Sequence, residues 1–246
     1  MIEHAILLSA GQGSRMLPLT AERPKCLIDF SGKSLIEWQI EMLARGGVRR
    51  IDVVTGFMTD RVDAHLAAIQ DARVEITTQF NPFYQVADNL GSCWIARAAM
   101  EGDFLILNGD TLVSEAIVHK VQEGNGWPIA VTVDIKDAYD SDDMKVNRDP
   151  ATGRLNRIGK TLSAAESNAE SIGFLAFRGE GAELFREAVR AAMRTPEGVQ
   201  HWYLKVIDGL APTGKVGTLS IEGLGWGEVD FLNDIEAATR LTDTWA

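Results

Sequence analysis

The stretch AILLSAGQGSRMLPLTAERPK (Ala5–Lys25) runs from an apolar strand pattern straight into glycines, two prolines and three basic side chains. A dinucleotide-binding fingerprint needs a third glycine where Met16 stands, and a Walker loop needs Gly-Lys-Ser/Thr, which is missing. What is left is a strand end followed by Gly11 and Gly13, whose amides can approach an oxyanion. Arg15 and Lys25 can neutralise that anion, and Pro18 and Pro24 set the turns. The stretch reads as a polyphosphate holder without a Walker motif. The plain alternative is a glycine turn whose charges are solvated.

Outward from this loop, apolar runs rich in β-branched residues recur at 5–9, 50–55, 74–80, 104–108, 129–135, 171–178 and 216–221. Helical patterns separate them. Ser34-Leu-Ile-Glu37 fits a capping box, Leu35, Ile36, Ile40 and Leu43 fall on one stripe, and Gly46-Gly47 ends it. Further helices are expected at 59–69, 90–100, 114–122, 181–193, 202–210 and 231–242. Runs buried on both faces and alternating with helices predict a three-layer α/β fold with a mostly parallel, mixed central sheet. Turn signals at Asp140-Ser-Asp-Asp143 and Asp149-Pro-Ala-Thr-Gly153 flank short strands about 145–147 and 155–158. They predict a small hairpin excursion, which is either a cover for a pocket or an ordinary surface hairpin.

A chain of 246 residues, 46% hydrophobic and 24% charged, suffices for one large domain spanning 1–246. Its formal charge of −11 argues against a protein that coats nucleic acid, so any anionic ligand must be drawn to a local basic site. Cys26 and Cys93 have neither metal nor disulfide spacing and are expected to stay reduced. His4, His65, His119 and His201 show no ligand spacing either. With no basic leader and no long apolar run, the expectation is a cytoplasmic protein with no membrane insertion.

The pattern LSAGQGSRMLPLTAERPKCLIDFSGKSLIEWQIEMLARGGV closely resembles the signature of the sugar-phosphate nucleotidylyltransferase superfamily. The likeness continues at Asn108-Gly-Asp-Thr111 and at Gly227-Glu-Val-Asp230. Phe80-Asn-Pro-Phe-Tyr, Asp88-Asn-Leu-Gly-Ser92, Asp143-Met-Lys-Val146 and Glu170-Ser-Ile-Gly173 are most similar to its phosphocholine cytidylyltransferase group. KVNRDPATGRLNRIGKTL also resembles inositol-1-phosphate cytidylyltransferases.

The resemblance implies a Rossmann-like nucleotidyltransferase fold, with a nucleotide part at about 1–125 and an acceptor part at about 126–246. It implies transfer of a cytidylyl group from CTP to a small phosphorylated alcohol, phosphocholine first, giving CDP-choline and pyrophosphate. Asp110 and Asp230 are implied as Mg²⁺ ligands, with Lys25, Arg15 and Lys145 as the cations at the reacting phosphates. Ala10, Gly11, Gly13, Gln79, Asp88, Asn89 and Ser92 are implied for the nucleotide, although Ser92 equally suits a helix start. An aromatic cage of Trp202, Tyr203 and Trp226 with Glu170 suits a quaternary ammonium; aromatic side chains on an apolar stripe equally suit a core. Other acceptors remain open: inositol-1-phosphate, an aminoalkylphosphonate, or a sugar-1-phosphate with UTP or dTTP. A non-catalytic nucleotide-binding regulatory protein is the reading from another class. The partners expected are CTP or another nucleoside triphosphate and the acceptor, with a homo-oligomer left open.

Overall fold

The computed structural model describes residues 1–245. The first half contains β1 (His4–Leu8), β2 (Asp29–Phe30), β3 (Lys33–Ser34), α1 (Leu35–Arg45), β4 (Arg50–Thr55), α2 (Thr59–Ala68), β5 (Glu75–Phe80), α3 (Asn89–Ala96), β6 (Phe104–Asn108), β7 (Thr111–Val113) and α4 (Glu115–Glu123). The second contains β8 (Ile129–Asp134), β9 (Lys145–Arg148), β10 (Leu155–Ile158), β11 (Ala169–Phe177), α5 (Glu180–Ala192), α6 (Tyr203–Leu210), β12 (Val216–Ser220), β13 (Trp226–Glu228) and α7 (Asp234–Asp243).

A nine-stranded sheet forms the middle layer. β6, β1, β4 and β5 lie side by side and parallel, with Ala5 in register with Ile51 on one side and Leu105 on the other. β11 runs antiparallel to β6, β8 and β9, and β12 is parallel to β8. The sheet is therefore mixed and mostly parallel, the α/β architecture expected.

Strand residues alternate between two cores, as their period of two requires. Leu7, Leu105 and Phe174 meet Trp38 and Leu43 of α1 and Ile117 of α4 on one face. Ile6, Phe104 and Phe177 meet Leu90 of α3, Phe185 of α5 and Ile207 of α6 on the other. Burial of each such side chain contributes about 1.5–3 kcal/mol, so these two helical layers carry most of the fold's stability. The capping box of α1 forms as its spacing predicts: Ser34 N donates to Glu37 Oε2 at 2.7 Å and Glu37 N to Ser34 Oγ at 3.3 Å.

Three expectations need correction. The 145–158 hairpin is no excursion, because β9 also pairs with β11, Ala169 on Val146, and so extends the main sheet. Buried Val146, Leu155 and Ile158 bind it there. Helix α3 stops at Ala96, after which Met100 N turns back to Arg97 O. α7 begins at Asp234, whose carboxylate accepts from the amides of Asp230 and Phe231. A separate two-stranded sheet of β7 and β13, Thr111 on Glu228, was not foreseen; its strands are too short to show a period. Cys26 and Cys93 are both free and buried. Among the described residues no helix is long and apolar enough to cross a membrane.

Candidate active site

The glycine loop leaves the carboxyl end of β1, where open α/β sheets place their ligands. Gly13 adopts φ 76°, and a Cβ there would stand 2.8 Å from a side-chain carbon of Lys25. The glycine therefore supplies both the left-handed turn and the room for Lys25 to pass beneath. Thr20 Oγ1 donates to Gly13 O at 2.8 Å and closes the loop. Met16 is fully buried, so the residue that breaks a dinucleotide fingerprint is the one that pins this loop to the core.

Asp110 sits in the turn from β6 to β7, and Asp230 follows β13. The β7–β13 pairing and a hydrogen bond from Val229 N to Asp110 O at 3.0 Å bring the two together. Between them lies the Lys25 ammonium, 3.1 Å from Asp110 Oδ2 and 2.5 Å from Asp230 Oδ1. Burial alone would lower the Lys25 pKa, but attraction to Asp110 and then Asp230 outweighs it and raises it. Burial would likewise raise Asp230, yet Lys25 and Arg15 hold that carboxyl below its ordinary value. Glu228 is exposed at the same cleft, yet the protein packed around it and then the nearby Asp110 and Asp230 push its carboxyl up to about 8. Arg15 Nη1 spans Asp230 and Asp142, at 3.2 Å from each.

Two adjoining cavities share this cluster. The larger, about 510 Å³, is lined by Gly11, Gly13, Lys25, Tyr84 and Asp88; the smaller, about 220 Å³, by Asn108, Lys160, Ser171, Trp202 and Glu228. Arg15, Asp110 and Asp230 line both. Two carboxylates at such a junction form a donor set that suits Mg²⁺, which takes one or two protein carboxylates and completes its shell with water and substrate phosphates. Among the described residues no group of three or more His, Cys, Asp or Glu side chains offers a protein-only cage.

Residues 4–142 match the nucleotidyl transferase family model. The chain belongs to that family. A bifunctional IPC transferase and DIPP synthase of Aquifex aeolicus is 26% identical across 98% of this chain, which spans about half (52%) of that relative's length. A CTP:phosphoglutamine cytidylyltransferase of Campylobacter jejuni is 24% identical, covering 95% of this chain and 98% of its own. The solved inositol-1-phosphate CTP transferase from T. maritima superposes with a TM-score of 0.80 at 19% identity, over 98% of this chain and 97% of that one. The nucleotidyltransferase fold implied by the resemblance is thus the observed one.

Within this nucleotidyl transferase, Arg15, Lys25, Gly11, Gly13, Asp88, Asp110 and Asp230 gather at the larger cavity. Ala10, Asn89 and Ser92 line its neighbour of about 250 Å³ beside Asn81. Five other candidates point elsewhere. Gln79 Nε2 donates to Asp52 Oδ1 at 3.0 Å, inside a cluster with His4 and Thr77. Lys145 is buried, and its ammonium donates to the carbonyls of Asp140 (2.7 Å) and Asp143 (3.3 Å), bracing a loop. Glu170 pairs with Lys136 at 2.6 Å, and burial pushes its carboxyl up to about 7. Trp226 Nε1 donates to Asp134 at 2.8 Å. Tyr203 is fully buried, edge-on to Phe185 with ring centroids 6.3 Å apart.

The aromatic cage is therefore not assembled. Only Trp202 of its members reaches the smaller cavity, 41% exposed, and Lys160 Nζ already stands 5.4 Å from its ring centroid. Sequence reasoning missed Lys160, Asp142, Asn108 and Glu228. Lys160 Nζ lies 3.2 Å from Asp142 Oδ1, so Asp142 bridges Lys160 and Arg15 across the cavity mouth. The available sign was the Gly159-Lys160 turn directly after a strand, too common a feature to single out.

Proposed function

We propose that the protein transfers a cytidylyl group from CTP to a small phosphorylated acceptor, with Mg²⁺, releasing pyrophosphate. The observation that carries this reading is the buried Lys25 ammonium held between Asp110 and Asp230 where two cavities meet. A site for joining two anions needs that layout: separate seats, with cations at the junction. CTP as donor is supported by the full-length likeness to a protein named CTP:phosphoglutamine cytidylyltransferase.

In this reading an acceptor phosphate oxygen attacks the α-phosphorus of CTP, and the bond to the β-phosphate bridging oxygen breaks. Its electron pair leaves with pyrophosphate, so no protein nucleophile is needed. Lys25 faces the charge developing at the α-phosphate, where a desolvated cation acts most strongly. Gly11 and Gly13 present backbone to the triphosphate, and Arg15 contacts it from the junction. Ala10, Asn81, Asp88 and Ser92 shape the seat of the base. Asp110 and Asp230 would hold Mg²⁺, which when bound supplies positive charge to the phosphate oxygens. Arg15 and Lys160 are the cations for the acceptor phosphate, and both are paired with Asp142.

The smaller cavity offers oxygens from Ser171, Glu228 and Asp142 and one aromatic face. That lining favours an acceptor whose far end donates hydrogen bonds, a hydroxyl or primary ammonium, over the trimethylammonium of phosphocholine. Pyrophosphate release with CTP against phosphoethanolamine, aminoethylphosphonate, inositol-1-phosphate and phosphocholine tests both levels. Turnover that is best with phosphocholine would refute the acceptor reading alone; no turnover with any acceptor would count against the activity.

A further inference from the structure

The turn that carries Asp110 is held from beneath by a side chain with no part in the chemistry above. Gln39 lies in α1, is 1% exposed, and its Nε2 donates to the carbonyls of Asn108 and Thr111, each at 2.8 Å. Those carbonyls flank Gly109 and Asp110. One amide thus ties both ends of the turn to a helix whose neighbouring Trp38 and Ile40 are buried in the core. Gly109 closes the remaining freedom: its N donates to Leu8 O at 3.1 Å, and a Cβ there would stand 2.4 Å from the same oxygen. The Asp110 carbonyl in turn accepts from Val229 N, next to Asp230. Fixing this turn therefore fixes the spacing of the two carboxylates.

The other end of the amide is equally informative. Gln39 Oε1 is buried without a hydrogen-bond partner. A buried acceptor left unpaired offsets much of what the two bonds contribute to stability. Apolar packing of α1 alone would be served as well by methionine. The amide cannot be reversed either, because Oε1 would then face two carbonyl oxygens.

We propose that Gln39 is a positioning residue that holds Asp110 in the geometry needed to bind a divalent cation. The proposal rests on Asp110 and Asp230 being the cation ligands. Supporting groups behind a ligand commonly change metal affinity about 10- to 100-fold when removed.

The test uses the whole protein as Gln39→Met, Gln39→Glu and Asp110→Asn, with Mn²⁺ as the probe. Free Mn²⁺ is read by electron paramagnetic resonance with CTP present, metal-free CTP binding by calorimetry, and folding by thermal melting. Gln39→Met should melt cooperatively, bind metal-free CTP normally, and bind Mn²⁺ about 10- to 100-fold more weakly. Gln39→Glu keeps the shape but sets a carboxylate against both carbonyls, and should show the same loss. Normal Mn²⁺ affinity in a folded variant would overturn the proposal, as would a parallel loss of metal-free CTP binding or failure of both variants to fold. If Asp110→Asn itself binds Mn²⁺ normally, the ligand assignment fails first; if it alone loses Mn²⁺, only the role of Gln39 is wrong.

Discussion

The two cavities of this protein teach opposite lessons about reading chemistry from sequence. The larger takes more than half of its lining from one loop, 9–28, in which glycine, proline and lysine act through backbone geometry that neighbouring residues dictate, and the rest from the segments about Tyr84, Asp110 and Asp230. The smaller is built by β11, β13, α6 and the turns after β8 and β10, and what lines it depends on register set across the sheet. The residues singled out in the loop, with Asp110 and Asp230, gather at one cavity, whereas most of those singled out by residue type alone lie elsewhere.

The largest effect should come from the junction. Lys25→Ala removes the cation between Asp110 and Asp230, and turnover should fall about 10²- to 10³-fold. Pyrophosphate release and a melting curve check this together. A folded variant with near-normal turnover would erase the distinction between the cavities. Next comes the smaller cavity: Lys160→Ala should raise the acceptor KM about tenfold or more while leaving the CTP KM unchanged, since a lost charge-assisted contact is worth at least 1.4 kcal/mol. Equal effects on both constants would place Lys160 on the nucleotide instead.

A sharper contrast pairs two tryptophans. Trp202→Ala should raise the acceptor KM a few-fold, of the order expected for one aromatic contact, whereas Trp226→Phe should leave both KM values unchanged. The second change removes the hydrogen bond to Asp134 and part of the ring packed against the core, and its mark should be a lower melting temperature. A strong acceptor effect at Trp226 would restore the aromatic cage.

The smallest effect concerns Gln79, which the resemblance assigned to the base and the structure gives to Asp52. Burial would raise the Asp52 carboxyl, but bonds from His4 and Thr77, each 2.6 Å, and Gln79 hold it far below the ordinary value. A carboxyl depressed in the folded state contributes stability that is fully present above its unfolded value, about 4, and is lost as pH falls toward the folded one. Gln79→Ala should therefore lower stability by about 1 kcal/mol at pH 7, with the deficit shrinking in acid and the CTP KM unchanged. Denaturant unfolding at several pH values reads the first, steady-state kinetics the second.

The strand and helix order was legible almost throughout, because apolar runs of alternating face admit one layered arrangement. The glycine loop, Asp110 and Asp230 were legible because short motifs at strand ends carry their own geometry. Tyr203 was misread because an aromatic residue on a helix stripe looks the same whether the stripe faces a pocket or Phe185. Lys145 was misread because its strand joins the main sheet through β11, which turns the ammonium onto loop carbonyls. Lys160 was passed over for the converse reason, since nothing local marks which turn will lean over Trp202.

The most direct measurement is pyrophosphate release and CDP-linked product, with Mg²⁺, for CTP, UTP and ATP against the acceptor panel, run beside Lys25→Ala. Turnover with CTP and one small phosphorylated acceptor, reduced about 10²- to 10³-fold in the variant, is the predicted result. Turnover that prefers UTP or ATP, or that is near normal without Lys25, would contradict it.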